Sequence, residues 1–283
     1  MRSAPRYGRV VRARGSLPSC PAPLSPLVAQ GDAPADPSVP WGMQIAVRYD
    51  KVHPPRRVDV AEATARAVVA LLASPESSEG GPWHEAVTYW QDGRIRKLVR
   101  RARGARWDEV QGLPGVTVRQ DGPRGWGQAC ARAFVPAPVR PLPTALAKAQ
   151  VEGTHFPHGD ELPAAPAAVT AALQREAQVR IEDVIALGPG SSSQDALVTV
   201  EVTPLEEMTS GKLCAQVAHA AQLAWLSPEM PARLRQAWAQ DGFRVRVDFP
   251  SRSVWEGASR PVNIVDAGLT ELDGLTETTR AWW

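Results

Sequence analysis

The sequence predicts an α/β fold built from two tandem units, each a three-layer α/β/α arrangement with a small mixed sheet of about four strands. Three observations lead there. Segments alternating with the period of a strand are interleaved with segments carrying the period of a helix. The order β-α-α-β-α-β-β occurs twice. A long-period internal repeat also links the two halves. Trp90-Gln91-Asp92-Gly93 through Val116–Gly122 parallels Trp238-Ala239-Gln240-Asp241-Gly242 through Val262–Gly268 in length, order and several identities.

Residues 1–40 are rich in Pro, Ala, Ser and Arg without periodicity and are expected to be a disordered tail. The first unit spans 41–136. Met43–Tyr49 alternates like a strand, and Val58–Ala73 reads as a helix with acidic residues in its first turns. Trp83–Trp90 is a short helix ended by Gln91-Asp92-Gly93. Ile95–Val99 is a strand and Trp107–Gln111 a helical stretch. Val116–Arg119 and Ala129–Val135 complete the unit as strands.

Residues 137–194 are expected to be a proline-rich linker with a helix over Val169–Gln178. The second unit spans 195–283. Leu197–Val202 is its first strand, followed by a long helix from Lys212 and a second over Pro231–Gln240. Phe243–Phe249 is a strand, Ser251–Gly257 a short helix, Val262–Val265 a strand, and Thr276–Trp283 the last strand.

Composition narrows the function classes. A net charge of +2 does not make the whole molecule an electrostatic magnet, so any nucleic-acid surface must be local. Cys20, Cys130 and Cys214 are far apart and form no C-x-x-C pair, implying neither a disulfide framework nor a zinc site and fitting a reducing cytoplasm. No apolar run approaches the ~18 residues of a membrane span. No cofactor or metal is implied.

The chemistry concentrates on the helix after the second unit's first strand. Thr209 and Ser210 suit an N-cap, and Gly211 allows a sharp turn into the helix. Lys212, Gln216 and His219 fall at i, i+4 and i+7, forming one polar stripe on an otherwise apolar helix. Lys212 lies in the first turn, where the helix dipole disfavours a cation by ~0.3–1 kcal/mol. An anionic ligand there would turn that cost to use. Asp266 follows the Val262–Val265 strand, where α/β sheets place ligand groups.

These residues carry a resemblance. Gly211-Lys212-Leu213-Cys214-Ala215-Gln216-Val217-Ala218-His219-Ala220, with Asp266-Ala267-Gly268-Leu269-Thr270 some fifty residues later, resembles the type-2 peptidyl-tRNA hydrolase family. The resemblance covers Asp195 to Thr279, about a third of the chain. It implies a hydrolase of translation that cleaves the ester between a peptide and the tRNA 3′ ribose, with peptidyl-tRNA as partner. It also implies a site of Lys212, His219, Asp266, Thr270 and Thr278 as catalytic residues, with Gly211 and Gln216 contacting substrate. Ser210 stands where the family usually has a second Lys, and Leu269 where it typically has Arg. The alternative is a tRNA-binding or regulatory module on the same fold without turnover.

Aligned without gaps, the first unit places Asp59, Ala63 and Arg66 where the second has Lys212, Gln216 and His219. Gln120 stands at the position of Asp266. The first copy is therefore expected to keep the scaffold and lose the polar set, a degenerate domain. Its distinguishing feature is a basic run, Arg94, Arg96, Lys97, Arg100, Arg101, Arg103 and Arg106, bracketed by Trp90 and Trp107. Such density suits phosphate contact and the tryptophans suit base stacking, so Arg94, Arg96, Lys97, Arg100, Arg101 and Arg103 are expected to grip tRNA while the second unit does the chemistry.

Overall fold

The computed structural model describes residues 39–123, 126–158, 190–266, 272 and 274–283. The first unit runs β1 (Trp41–Arg48), α1 (Arg57–Leu72), a 3-10 turn (Pro75–Ser77), α2 (His84–Gln91), β2 (Lys97–Ala102), α3 (Ala105–Gln111), β3 (Gly115–Gln120) and β4 (Ala129–Phe134). β5 (Ala137–Pro138) and α4 (Thr144–Ala147) follow. The second unit runs β6 (Val198–Val202), α5 (Ser210–Leu226), α6 (Ala232–Gln240), β7 (Val245–Asp248), α7 (Arg252–Gly257), β8 (Val262–Asp266) and β9 (Thr276–Trp282). The helix expected over 169–178 lies outside the described residues.

The two sheets share one topology. The first is ordered β2-β1-β4-β3, with β5 added to β1, and the second β7-β6-β9-β8. In each, the two strands joined through a helix pair are parallel and the last two strands are antiparallel. Ile45 faces Ala133 in one sheet as Val200 faces Ala281 in the other. Buried Trp90 donates its indole N–H to the carbonyl of Arg96 at 3.1 Å, and buried Trp238 donates to Arg244 at 2.7 Å, each six residues ahead. Gly93 and Gly242 both take left-handed φ, 75° and 65°, beyond their helices, a conformation that favours glycine. The repeat thus extends from sequence to register and turn geometry.

The core lies between the sheets. Met43, Ile45 and Val47 of β1 and Val198, Val200 and Val202 of β6 bury against α1 and α5, which pack on each other. Contact is reciprocal: α1 also touches β7, and α5 touches β2. The opposite face of the first sheet carries a second apolar cluster, in which Ala46, Cys130 and Phe134 meet Trp107 and Val110 of α3 and Leu146 of α4. Strand alternation sends successive residues to these two layers.

The proline-rich passage is anchored along its described part. β5 pairs with β1, Gln150 bridges to Arg101, and the buried Phe156 donates its backbone N–H to Ser210 Oγ at 2.9 Å. Among the described residues, no helix is long and apolar enough to cross a membrane.

Candidate active site

α5 is largely buried and begins at an N-cap, where Thr209 Oγ1 accepts the backbone N–H of Lys212 at 3.3 Å. Gly211 lies inside the first turn without left-handed φ, and a Cβ there would meet Thr154 only at an ordinary 3.6 Å. The sharp turn expected of Gly211 is therefore made by extended Thr209 instead. From this first turn Lys212 reaches across to the end of β8, and its Nζ lies 2.6 Å from Asp266 Oδ2. The side chains are 10% and 16% exposed. Gln216, one turn along, donates from Nε2 to the same carboxylate oxygen at 2.8 Å. Its Oε1 accepts the Thr278 hydroxyl at 2.9 Å.

A break in the strand register delivers Thr278. Along β8 and β9, Ile264 faces Thr279 but Val265 faces Glu277, so Thr278 is the extra residue of a β-bulge. A bulge re-aims a side chain. Here Thr278 and its neighbour Thr279 both reach α5, with the Thr279 hydroxyl donating to the carbonyl of Gln216 at 3.1 Å. Thr279 is a supporting residue that motif reasoning missed. Strand alternation would send adjacent threonines to opposite faces, so only the bulge, which periodicity does not reveal, brings Thr279 to the helix that Thr278 meets.

His219 stands apart from this network. It shares the helical face of Lys212 and Gln216, but two turns further on α5 is passing over β2 of the other sheet. Its Nε2 is buried with no hydrogen-bond partner among the described residues. Burial and the nearby Lys97 ammonium hold its pKa down to about 3. Lys97 itself points inward from β2, donates to Gln222 Oε1 at 2.5 Å, and is pushed down to about 7 by burial. Burial likewise pushes the Cys214 thiol up to about 12. Thr270 lies outside the described residues.

The first copy corrects one expectation: it has lost the residue types of the second but not a polar set. Asp59 is fully buried and takes two hydrogen bonds from buried Arg56, at 2.7 and 2.8 Å. Glu62, aligned with Ala215, accepts from Gln120 Nε2, from Ser193 Oγ at 3.1 Å and from the Val247 backbone N–H at 3.1 Å. Burial pushes its carboxyl up to about 7. Arg66 donates to Gln120 Oε1 and to the carbonyl of Gly242, both at 3.1 Å. These contacts tie α1 to the second unit.

The basic run is corrected as well. Strand alternation turns Lys97 to the inner layer and Arg100 to the outer, where Arg100 donates to Gln44 Oε1 at 2.7 Å and to the carbonyl of Ala149 at 3.2 Å. Arg94 lies 3.9 Å over the Tyr89 ring and pairs with Asp92. Arg101 donates to Gln150 Oε1 at 2.5 Å and to Gly153. Trp90 and Trp107 are buried and offer no face to a base. Arg96, Arg103 and Arg106 remain exposed. Trp282 packs within its own unit, donating to Glu201 at 3.2 Å beneath Arg260.

Fold and site together define an α/β protein with a helix-end ammonium set against a strand-end carboxylate. Comparison with protein-family models, with curated proteins and with solved structures finds no significant match in any of the three.

Proposed function

We propose that the chain hydrolyses peptidyl-tRNA, freeing the peptide and recycling the tRNA for translation. The observation supporting this most is the Lys212–Asp266 contact, with Gln216 donating to the same carboxylate and itself held by the Thr278 hydroxyl. Ester hydrolysis needs a water nucleophile, an acceptor for its proton and a donor for the oxyanion. In this reading Asp266 takes the proton as water attacks the ester carbonyl carbon, and Lys212 donates to the carbonyl oxygen as negative charge gathers there. The bond to the ribose oxygen then breaks, that oxygen recovers the proton, and the peptide leaves with a carboxyl group. Gln216 and Thr278 act as positioning residues. His219 stays outside the proton path, and Thr270, by the resemblance, orders water or ribose.

Release of peptide from purified peptidyl-tRNA tests the reading. Lys212→Ala and Asp266→Ala should each reduce turnover by about 10²–10³-fold, the scale of losing one transition-state donor. Unaltered release in both variants would remove the site from the reaction. One observation favours a second reading, a tRNA-binding module without turnover: Lys212 and Asp266 are already paired with each other at 2.6 Å. Tight tRNA binding by the parent chain without release would select it.

A further inference from the structure

The two units each hold a cavity at the same place, beyond the carboxyl ends of their parallel strand pair. In α/β sheets this is where ligands collect. The cavity beyond β6 and β7 is about 290 Å³ and is lined in part by Glu206, Glu207, Leu205 and Phe249. Its counterpart beyond β1 and β2 is about 360 Å³ and is lined by Arg48, Tyr49, Asp50, Lys51, Arg103 and Gly104. The position is shared but the chemistry differs, because Arg57 and His158 stand beside the two glutamates in the second-unit cavity.

The first-unit cavity has three cations and one carboxylate. Asp50 is committed to its own loop, since Oδ1 accepts the backbone N–H groups of Val52 at 2.9 Å and His53 at 3.1 Å. Arg48 lies 3.8 Å from the other oxygen of Asp50. Lys51 and Arg103 are exposed, and neither has an ion-pair partner among the described residues. Tyr49 forms a fixed wall, with its ring between the Arg101 guanidinium at 5.1 Å and Phe156 at 5.5 Å. Unpaired cations around a concave site raise the local concentration of anions. Guanidinium and ammonium groups converging on one site match the several acceptor oxygens of a phosphate. The volume falls in the range of sites for organic ligands, ~300–1,000 Å³, so a phosphate attached to a larger body fits.

The geometry points to a phosphate-binding site in the first unit, with Lys51 and Arg103 as its main donors and Arg48 in support. The phosphate belongs to a nucleic-acid strand or to a free phosphate monoester. The site does not depend on whether the second unit cleaves an ester.

Binding to the full chain tests this with two probes, a labelled single-stranded oligouridylate and uridine monophosphate. The double variant Lys51→Gln/Arg103→Gln should bind the RNA about tenfold more weakly at ~0.1 M salt. The slope of log affinity against log salt should fall by about 1.4, which is ~0.7 for each single-strand phosphate that the variant leaves unneutralised. Lys51→Glu alone should weaken binding more than Lys51→Gln. These are surface positions, and unchanged circular dichroism confirms the fold. Loss of monophosphate binding in the double variant with RNA binding intact supports the site and assigns it to free phosphate esters. The inference is overturned if the parent binds neither probe, or if the double variant binds both as the parent does.

Discussion

Each unit sets a long helix against the last strands of its sheet, yet the polar groups at that junction differ in kind. In the second unit Lys212 and Asp266 are partly open to solvent and braced by Gln216 and Thr278. In the first, Asp59 and Glu62 are fully enclosed and bind Arg56, Gln120, Ser193 and the backbone of β7. The strands differ too. β3 and β4 pair without interruption from Gly115 to Gln120, whereas the bulge between β8 and β9 turns Thr278 toward the helix. One scaffold therefore supports two uses of polar residues. An accessible set can meet a substrate, while an enclosed set can only hold the protein together.

Breaking the enclosed set should have the largest effect. Asp59→Ala leaves Arg56 buried without its carboxylate, so unfolding free energy should drop by about 3–5 kcal/mol in denaturant titration. Breaking the accessible set should do the reverse. Lys212→Ala should lose about 3–4 kcal/mol of transition-state stabilisation, read as peptide release, with little change in unfolding. Gln120→Ala should leave turnover near the parent value, and abolished turnover there with tRNA binding intact would erase the functional contrast between the copies.

Glu62 sharpens the comparison through pH. Its folded pKa is raised from 4.5 to about 7, so between those values the folded chain keeps a proton that the unfolded chain has lost. Stability from this group therefore falls as pH rises through that window, by about 3 kcal/mol. His219 acts oppositely. Its pKa is lowered from 6.5 to about 3, so its contribution grows as pH rises over that range. Comparing parent and Glu62→Gln unfolding at several pH values isolates the first slope, which the variant should lack. The smallest effect is expected at the α5 cap, where Thr209→Ala should cost about 1 kcal/mol of stability.

Most of this architecture was legible in the sequence. Strand and helix periods placed the elements of both units within a few residues, because each buries one regular face. Lys212, Gln216, Asp266 and Thr278 were legible as a set through the family resemblance, and the folded chain joins them in one network. Other features depend on distant partners. Glu62 looks like an ordinary acidic residue in the second turn of a helix until β7 and Ser193 cover it. Lys97 and Arg100 look like a basic face until one layer takes each side of β2. His219 shares a helical stripe with Lys212, but periodicity does not say where along a helix a second sheet begins.

The central helix pair has a consequence for how such a chain could arise. A lone copy of the unit would present its long helix bare on one side, and two separate copies could cover both helices by docking face to face, at the mercy of their concentration. Joining them end to end makes that docking intramolecular and frees it from dilution. It also lets one partner drift in chemistry while the other retains its own, something a symmetric pair encoded once cannot do.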